Sequence, residues 1–342
     1  MKNIAKISFV IIGTIIGAGF ISGQEIYLFF NRFGTCGLIG IIIAGFLIGI
    51  AIEKSCIIIK EKNITKYEEF IEESIYIKNK NIKIILNNSI KLFLLISFFI
   101  MEAAFNTYFM QEYTIPILIT GIINAIICYL IFTKNINAII KTNELLMPII
   151  LFLILFLSVK TRNNIILQNI EYNNLMLAIL NGIIYASYNI ILLIPILITL
   201  NKYLENKEQI KIVKYICTIT IIGFAVLMYM IIDPFCRIEQ IEIPMIYIAN
   251  SLGSIYHYVY GIGLVIAIFT AAITIGYGFL RNTTQNEKFH KILAIIICLL
   301  SIPISYIGFS NLVEIMYPMI GAFGMIQIFF LLKSWKRSKL LI

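Results

Sequence analysis

Apolar stretches of about twenty residues, separated by short polar connections, recur along the whole chain, and that is the length a helix needs to cross the hydrocarbon core of a bilayer. Ten such stretches are legible: 5–30, 35–59, 90–112, 114–133, 137–159, 174–200, 211–232, 254–280, 289–308 and 311–333. The longest connection, 60–89, breaks the pattern. It carries Thr65-Lys66-Tyr67-Glu68, which has capping-box spacing, and then Ile64, Tyr67, Phe70, Ile71 and Ile75 at helical intervals beside Glu68, Glu69, Glu72 and Glu73. This predicts a short amphipathic helix on the membrane surface, with docking of a partner as the alternative use.

The basic residues orient these segments. With the N-terminus inside, 23 of the 27 Lys and Arg fall in inner segments, and only Arg32, Lys160, Arg162 and Arg237 fall outside. Such asymmetry is the positive-inside signal, and it predicts an even number of spans with both termini cytoplasmic. The net charge of +9 is thereby a topology signal and predicts no nucleic-acid partner.

Composition agrees with that picture. The chain is 60% hydrophobic and 13% charged with a mean hydropathy of +0.94, which excludes a soluble domain and predicts one membrane domain, 1–342. Lys2 and Lys6 before an apolar run resemble a signal peptide, but apolar sequence continues to Phe30, so the segment reads as a retained span. The six cysteines contain no C-x-x-C pair and there are two histidines, so neither a disulfide framework nor a metal cluster is indicated.

Candidate chemistry begins inside the first span. Gly13, Gly17, Gly19 and Gly23 fall within Gly13-Thr14-Ile15-Ile16-Gly17-Ala18-Gly19-Phe20-Ile21-Ser22-Gly23-Gln24-Glu25. Each glycine gives up roughly 1 kcal/mol of helix stability relative to alanine. A break in lipid is tolerated only where protein or water satisfies the freed backbone, so an interrupted span points to a solute site. The alternative is that these glycines only let two helices approach closely. Ten spans divide as five plus five, about 1–160 and 172–335, with the second half inverted. The first span of that half carries Asn181-Gly182-Ile183-Ile184-Tyr185-Ala186-Ser187-Tyr188-Asn189 and then Pro195, a polar centre at the position equivalent to the glycine-rich one.

Counting depth at 1.5 Å per residue from the inner basic edges puts Gly17, Glu102, Tyr188–Asn189 and Thr270 near one level. Glu102 is the costliest of these, roughly 2.5–3.5 kcal/mol for a carboxylate at the centre of the bilayer, so it is expected to face a cavity or a partner, with Asn106 one turn away. The alternative is a neutral Glu bonded to a neighbouring helix. Glu25, Glu112, Asp233 and Glu314 fall nearer the outer interface, where gating or solvation is the expectation.

The stretch Gly13 to Phe20 followed by Ser22-Gly23-Gln24-Glu25 resembles the N-terminal signature of the YkvI-like bacterial amino-acid permeases, of the amino acid–polyamine–organocation superfamily. Tyr185 to Asn189, Gly308-Phe309-Ser310-Asn311-Leu312-Val313, Tyr317-Pro318 and Gly321 look like the same family's sixth and tenth segments. The resemblance implies an all-α integral membrane fold of LeuT type, two inverted five-helix repeats with helices one and six broken around a central substrate. Met101 to Asn106 departs from the glycine-rich third segment it implies. A sodium site between helix one and a hydroxyl pair on helix eight is also implied. Here Thr270 is followed by Ala271, with Thr274 one turn on, so Na+ and a proton on Glu102 compete as the coupling ion.

The reading is a secondary transporter in the bacterial cytoplasmic membrane, moving a small amino acid or related zwitterion by alternating access, with the lipid bilayer as its setting. Free amides of helix one around Gly17, Ala18, Gly19, Phe20 and Ser22 would hold a carboxylate. Glu102 would take an ammonium or the coupling proton, beside Asn106, Tyr185, Ser187, Tyr188 and Asn189, with Thr270 and Thr274 as ion ligands. No cofactor beyond Na+ or H+ is expected. An intramembrane enzyme is disfavoured because no His/Cys/Asp cluster reaches membrane depth. A non-transporting sensor or accessory subunit on the same fold is the alternative.

Overall fold

The computed structural model describes residues 2–75, 80–133, 136–161, 174–232 and 242–338, and among them there is no strand. Lipid supplies no hydrogen-bond partners, so Ile- and Leu-rich segments satisfy their own backbone as helices. Each of the ten apolar stretches has a helical counterpart. Seven helices are long and apolar enough to cross a membrane, and three more are shorter. In chain order the α-helices of the described residues are α1 (Lys2–Ile15), α2 (Ala18–Ile21), α3 (Gln24–Phe29), α4 (Cys36–Glu61), α5 (Tyr67–Ile75), α6 (Lys80–Tyr113) and α7 (Ile117–Phe132). There follow α8 (Ile136–Thr161), α9 (Leu175–Leu200), α10 (Lys207–Ile232), α11 (Pro244–Leu252), α12 (Ser254–Thr283), α13 (Glu287–Ile304) and α14 (Phe309–Ser338).

Of the seven long helices, two lie in the interior beside the short pieces of the first span. The apolar windows of α9 and α12 are 78% and 72% buried, against 39% for α13 and α14 on the periphery. α4 and α14 pack against α9, α6 and α8 against α12, and α1 lies among α8, α10, α9 and α12. Helices in lipid gain little from apolarity itself, so close backbone approach matters. A methyl group on Gly182 of α9 would lie 2.5 Å from the Gly40 carbonyl of α4, and one on Gly324 of α14 would lie 2.5 Å from the Ser187 carbonyl. The close-packing role weighed for the glycines of the first span is thus played elsewhere as well.

The first span is in pieces. α1 stops at Ile15, Gly17 is extended (φ −89°, ψ −164°), and α2 restarts at Ala18. A second interruption follows at Ser22-Gly23, where Gly23 takes φ +85°, a left-handed conformation that costs glycine little. The sixth span departs from expectation: α9 runs unbroken through Tyr185–Asn189. The polar side chains there do not open the helix because they bond back into it. Ser187 Oγ donates to the Ile183 carbonyl (2.6 Å) and Asn189 Nδ2 to the Tyr185 carbonyl (2.9 Å), the i to i−4 pattern that satisfies such groups inside a helix.

Helix α5 forms where the amphipathic pattern put it, but its apolar face is not free to lie in lipid. Ile64, Tyr67, Phe70 and Ile71 are buried, and the helix packs on α14, α6 and α4. Tyr67 and Gln327 hydrogen-bond inside that contact (Oη to Oε1, 2.9 Å). The cap uses Glu69 rather than Glu68, because the helix starts at Tyr67 and Glu69 is then three residues past the cap position. Glu69 accepts from the Thr65 N–H (2.8 Å) and the Lys66 N–H (3.3 Å), which holds its carboxyl below the usual carboxylate range. Glu68 instead meets Asn87 and Lys91 of α6.

Candidate functional site: the interrupted first helix

At a helix start the first amides have no partner within the helix, so the N–H groups of Ala18, Gly19 and Phe20 open α2 unclaimed by its own carbonyls. All four residues of α2 are buried. The piece is held from three sides. Tyr260 of α12 donates its hydroxyl to the Ile21 carbonyl (2.7 Å), the Met245 N–H of α11 reaches the Ser22 carbonyl (3.0 Å), and Ser22 Oγ folds back on the Gly19 carbonyl (2.9 Å). Gly17 meets α12 and α6: a methyl there would lie 3.1 Å from Ala271 Cβ and 3.9 Å from Met101 Sδ.

The carboxylate at this break is Glu25, not Glu102. The turn at Gly23 sends the chain back on itself, and Glu25 lies against Gly19 so closely that a methyl on Gly19 would overlap Oε1 and sit 2.6 Å from Cδ. Tyr188 of α9 donates its hydroxyl to Glu25 Oε2, and the Tyr185 hydroxyl, fully buried, has no well-formed partner of its own. Rings enclose the pair. Tyr188 stacks on Tyr317 of α14 (4.6 Å, 16°), and Phe29 meets Tyr185 edge-on (5.5 Å, 72°). Among the described residues no Lys, Arg or His pairs with Glu25.

The other expected residues divide into four groups. Gly17, Ala18, Gly19, Phe20, Ser22, Tyr185 and Tyr188 come together at the break. Ser187 and Asn189 are back-bonded within α9, and the Ser187 carbonyl faces Gly324 of α14. Thr270 and Thr274 are buried on α12 and bond back to the carbonyls of Ala267 (3.0 Å) and Thr270 (2.7 Å), and Thr270 adjoins the Ala271 that touches Gly17. Glu102 and Asn106 lie elsewhere. Glu102 meets Cys128 of α7 (3.4 Å) and Ser301 of α13 (3.5 Å), and Asn106 donates to Ser305 (2.9 Å). The expectation that Glu102 faces the two central segments is therefore corrected. Depth along a helix was readable, but direction changes by 100° per residue, and it is Met101 that points to Gly17.

Glu25 was expected at the outer interface because depth was counted along a straight helix. The signal that places it was Gly23, four residues after Gly19, a residue able to reverse the chain. Of the other carboxylates, Glu112 pairs with His257 (2.8 Å) and Glu314 with Arg32 (3.6 Å), while Asp233 lies outside the described residues.

An all-helical bundle with seven helices long and apolar enough to cross a membrane among the described residues defines a class, the multi-pass membrane proteins, and structural likeness gives it a LeuT-type fold. The comparisons agree. The structure superposes on MhsT in complex with L-phenylalanine with a TM-score of 0.70 at 19% identity, covering 94% of this chain and 87% of that one. In sequence the chain is similar to the uncharacterized membrane protein YkvI of Bacillus subtilis (strain 168), 24% identical over 334 residues, 93% of this chain and 92% of YkvI. It is also similar to the uncharacterized protein YyaD of the same organism, at 23% over 342 residues, 95% of this chain and 96% of YyaD. No family model matches the chain. The YkvI-like resemblance read from the first motif stands on these alignments.

Proposed function

We propose that the chain is a secondary transporter of a small amino acid or related zwitterion, working by alternating access through two inverted five-span repeats, with ten spans and both termini in the cytoplasm of a bacterium. The observation that carries this reading is the interruption at Ile16–Gly17, where unclaimed amides lie near a buried carboxylate that has no cationic partner among the described residues. Glu25 receives the solute's ammonium, in place of the role expected of Glu102. A solute carboxylate takes the N–H groups of Ala18 to Phe20, whose partial positive charge suits an anion. Tyr185 and Tyr188 line the site, and their hydroxyls reorient when the ammonium displaces the Tyr188 bond. Thr270 and Thr274, beside Ala271, are the candidates for a coupling-ion contact with the interrupted helix. The L-phenylalanine bound to MhsT supports an amino-acid-like solute.

The test is uptake of a panel of radiolabelled amino acids into proteoliposomes holding the purified chain, under imposed sodium or proton gradients. Accumulation above protein-free vesicles is expected. Saturable binding without accumulation or exchange under either gradient would make the chain a sensor or accessory subunit.

A further inference from the structure

Three helices each contribute a polar pair at i, i+4 spacing to one buried seam away from the interrupted helix: Glu102 and Asn106 from α6, Asn124 and Cys128 from α7, and Ser301 and Ser305 at the end of α13. That spacing puts both members of a pair on one face. All six side chains are buried, Glu102, Asn106 and Asn124 completely.

Counting donors against acceptors shows what the seam lacks. Ser301 has one hydroxyl proton and spends it on the Cys298 carbonyl at 2.8 Å, leaving a long 3.5 Å approach to Glu102. Ser305 accepts from Asn106 Nδ2 and donates to the Ser301 carbonyl (2.8 Å). The Cys128 thiol, a weak donor at 3.4 Å, and a looser approach of the Asn124 side chain are the carboxylate's remaining contacts. Asn106 Oδ1 and both polar atoms of Asn124 have no well-formed partner. Turning the Asn124 amide onto Glu102 would serve one carboxylate lone pair with one of its two N–H groups and leave the Asn124 carbonyl itself without a donor. A proton on Glu102 would likewise supply a single donor.

The seam is thus rich in oxygen acceptors, carries one formal negative charge, and has no Lys, Arg or His partner among the described residues. A buried carboxylate without a cation is costly, and a single charge matches a monovalent cation better than a divalent one. We propose that Glu102, Asn106, Asn124 and Ser301 form a resident Na+ site that ties α6, α7 and α13 together, separate from the solute site at Glu25. This does not depend on the chain being a transporter.

The test is the unfolding temperature of the purified full-length chain in detergent, without organic solute, as NaCl replaces N-methyl-D-glucamine chloride at fixed pH and ionic strength. A saturable rise is expected for the wild type. It should vanish in Glu102→Gln, move to at least about tenfold higher Na+ in Asn124→Ala and Ser301→Ala, and persist in Ser97→Ala, a buried site elsewhere on α6. Should Glu102→Gln fail to fold, 22Na+ binding to the wild type, Asn124→Ala and Ser301→Ala reads the same quantity. An unfolding temperature indifferent to Na+ overturns the proposal and leaves a water-filled seam. A response that survives Glu102→Gln but is lost in Thr270→Ala places the ion on α12 and also overturns it, as does an unchanged 22Na+ midpoint in both other variants.

Discussion

Replacing Gly19 by alanine perturbs the site by one methyl group, and three terms decide the outcome. In a helix the exchange alone would stabilise by about 1 kcal/mol. Here the methyl would sit 2.6 Å from Glu25 Cδ and 2.7 Å from Cγ, so the Glu25 side chain must move. Overpacking of a filled interior costs roughly 1–3 kcal/mol. Moving Glu25 also breaks the bond from Tyr188, and a buried hydroxyl left without its acceptor costs about 1–3 kcal/mol. The two losses exceed the helix gain, and Gly19→Ala should be destabilised by about 1–5 kcal/mol. The assay is a double-mutant cycle on chemical unfolding in mixed micelles, using Gly19→Ala, Glu25→Ala and the pair. If the clash is with Glu25, the double mutant should be more stable than the sum of the singles by about 1 kcal/mol or more. Strict additivity, or a Gly19→Ala variant as stable as wild type, would refute the placement of Glu25 over Gly19.

Tyr260→Phe should cost about 1–3 kcal/mol and weaken solute binding, because it strips the Ile21 carbonyl of its buried donor; thermal unfolding and a binding titration check both. The Glu69 cap should fail in acid. Its carboxyl lies below the ordinary value of 4.5 when folded, so the cap's contribution is complete above that value and is lost as the pH falls through the lower, folded one. A spin label at position 72 should gain mobility over that acid range, and Glu69→Gln should remove the transition. For topology, cysteines placed at Lys62, Lys207 and Lys288 in a cysteine-free background should resist impermeant thiol reagents in intact cells, and cysteines at Thr114 and Tyr306 should react.

What the sequence made legible follows from which physical signals are one-dimensional. Span positions survive because length and hydropathy are properties of consecutive residues: α4, α6, α9, α10 and α12 each cover an expected stretch to within one residue. The interruption at Gly17 was legible because glycine is costly in a helix. The unbroken α9 was not, because Ser187 and Asn189 look the same in sequence whether they line a break or bond back to carbonyls one turn earlier. Glu102 shows the same limit. Its depth and cost were readable, but whether it turns to α1 or to α7 and α13 depends on packing. Glu25 was hidden by the assumption of a straight first helix, which the left-handed Gly23 removes.

The account rests on Glu25 as the solute's anchor. Its most direct test is the dissociation constant of the amino acid that the uptake panel identifies, measured by scintillation proximity on purified wild type and Glu25→Gln at matched unfolding temperature. Loss of a charged partner in a buried site predicts that the constant rises by at least about tenfold in Glu25→Gln. An unchanged constant in a folded Glu25→Gln protein would contradict the account and move the solute site away from the interrupted helix.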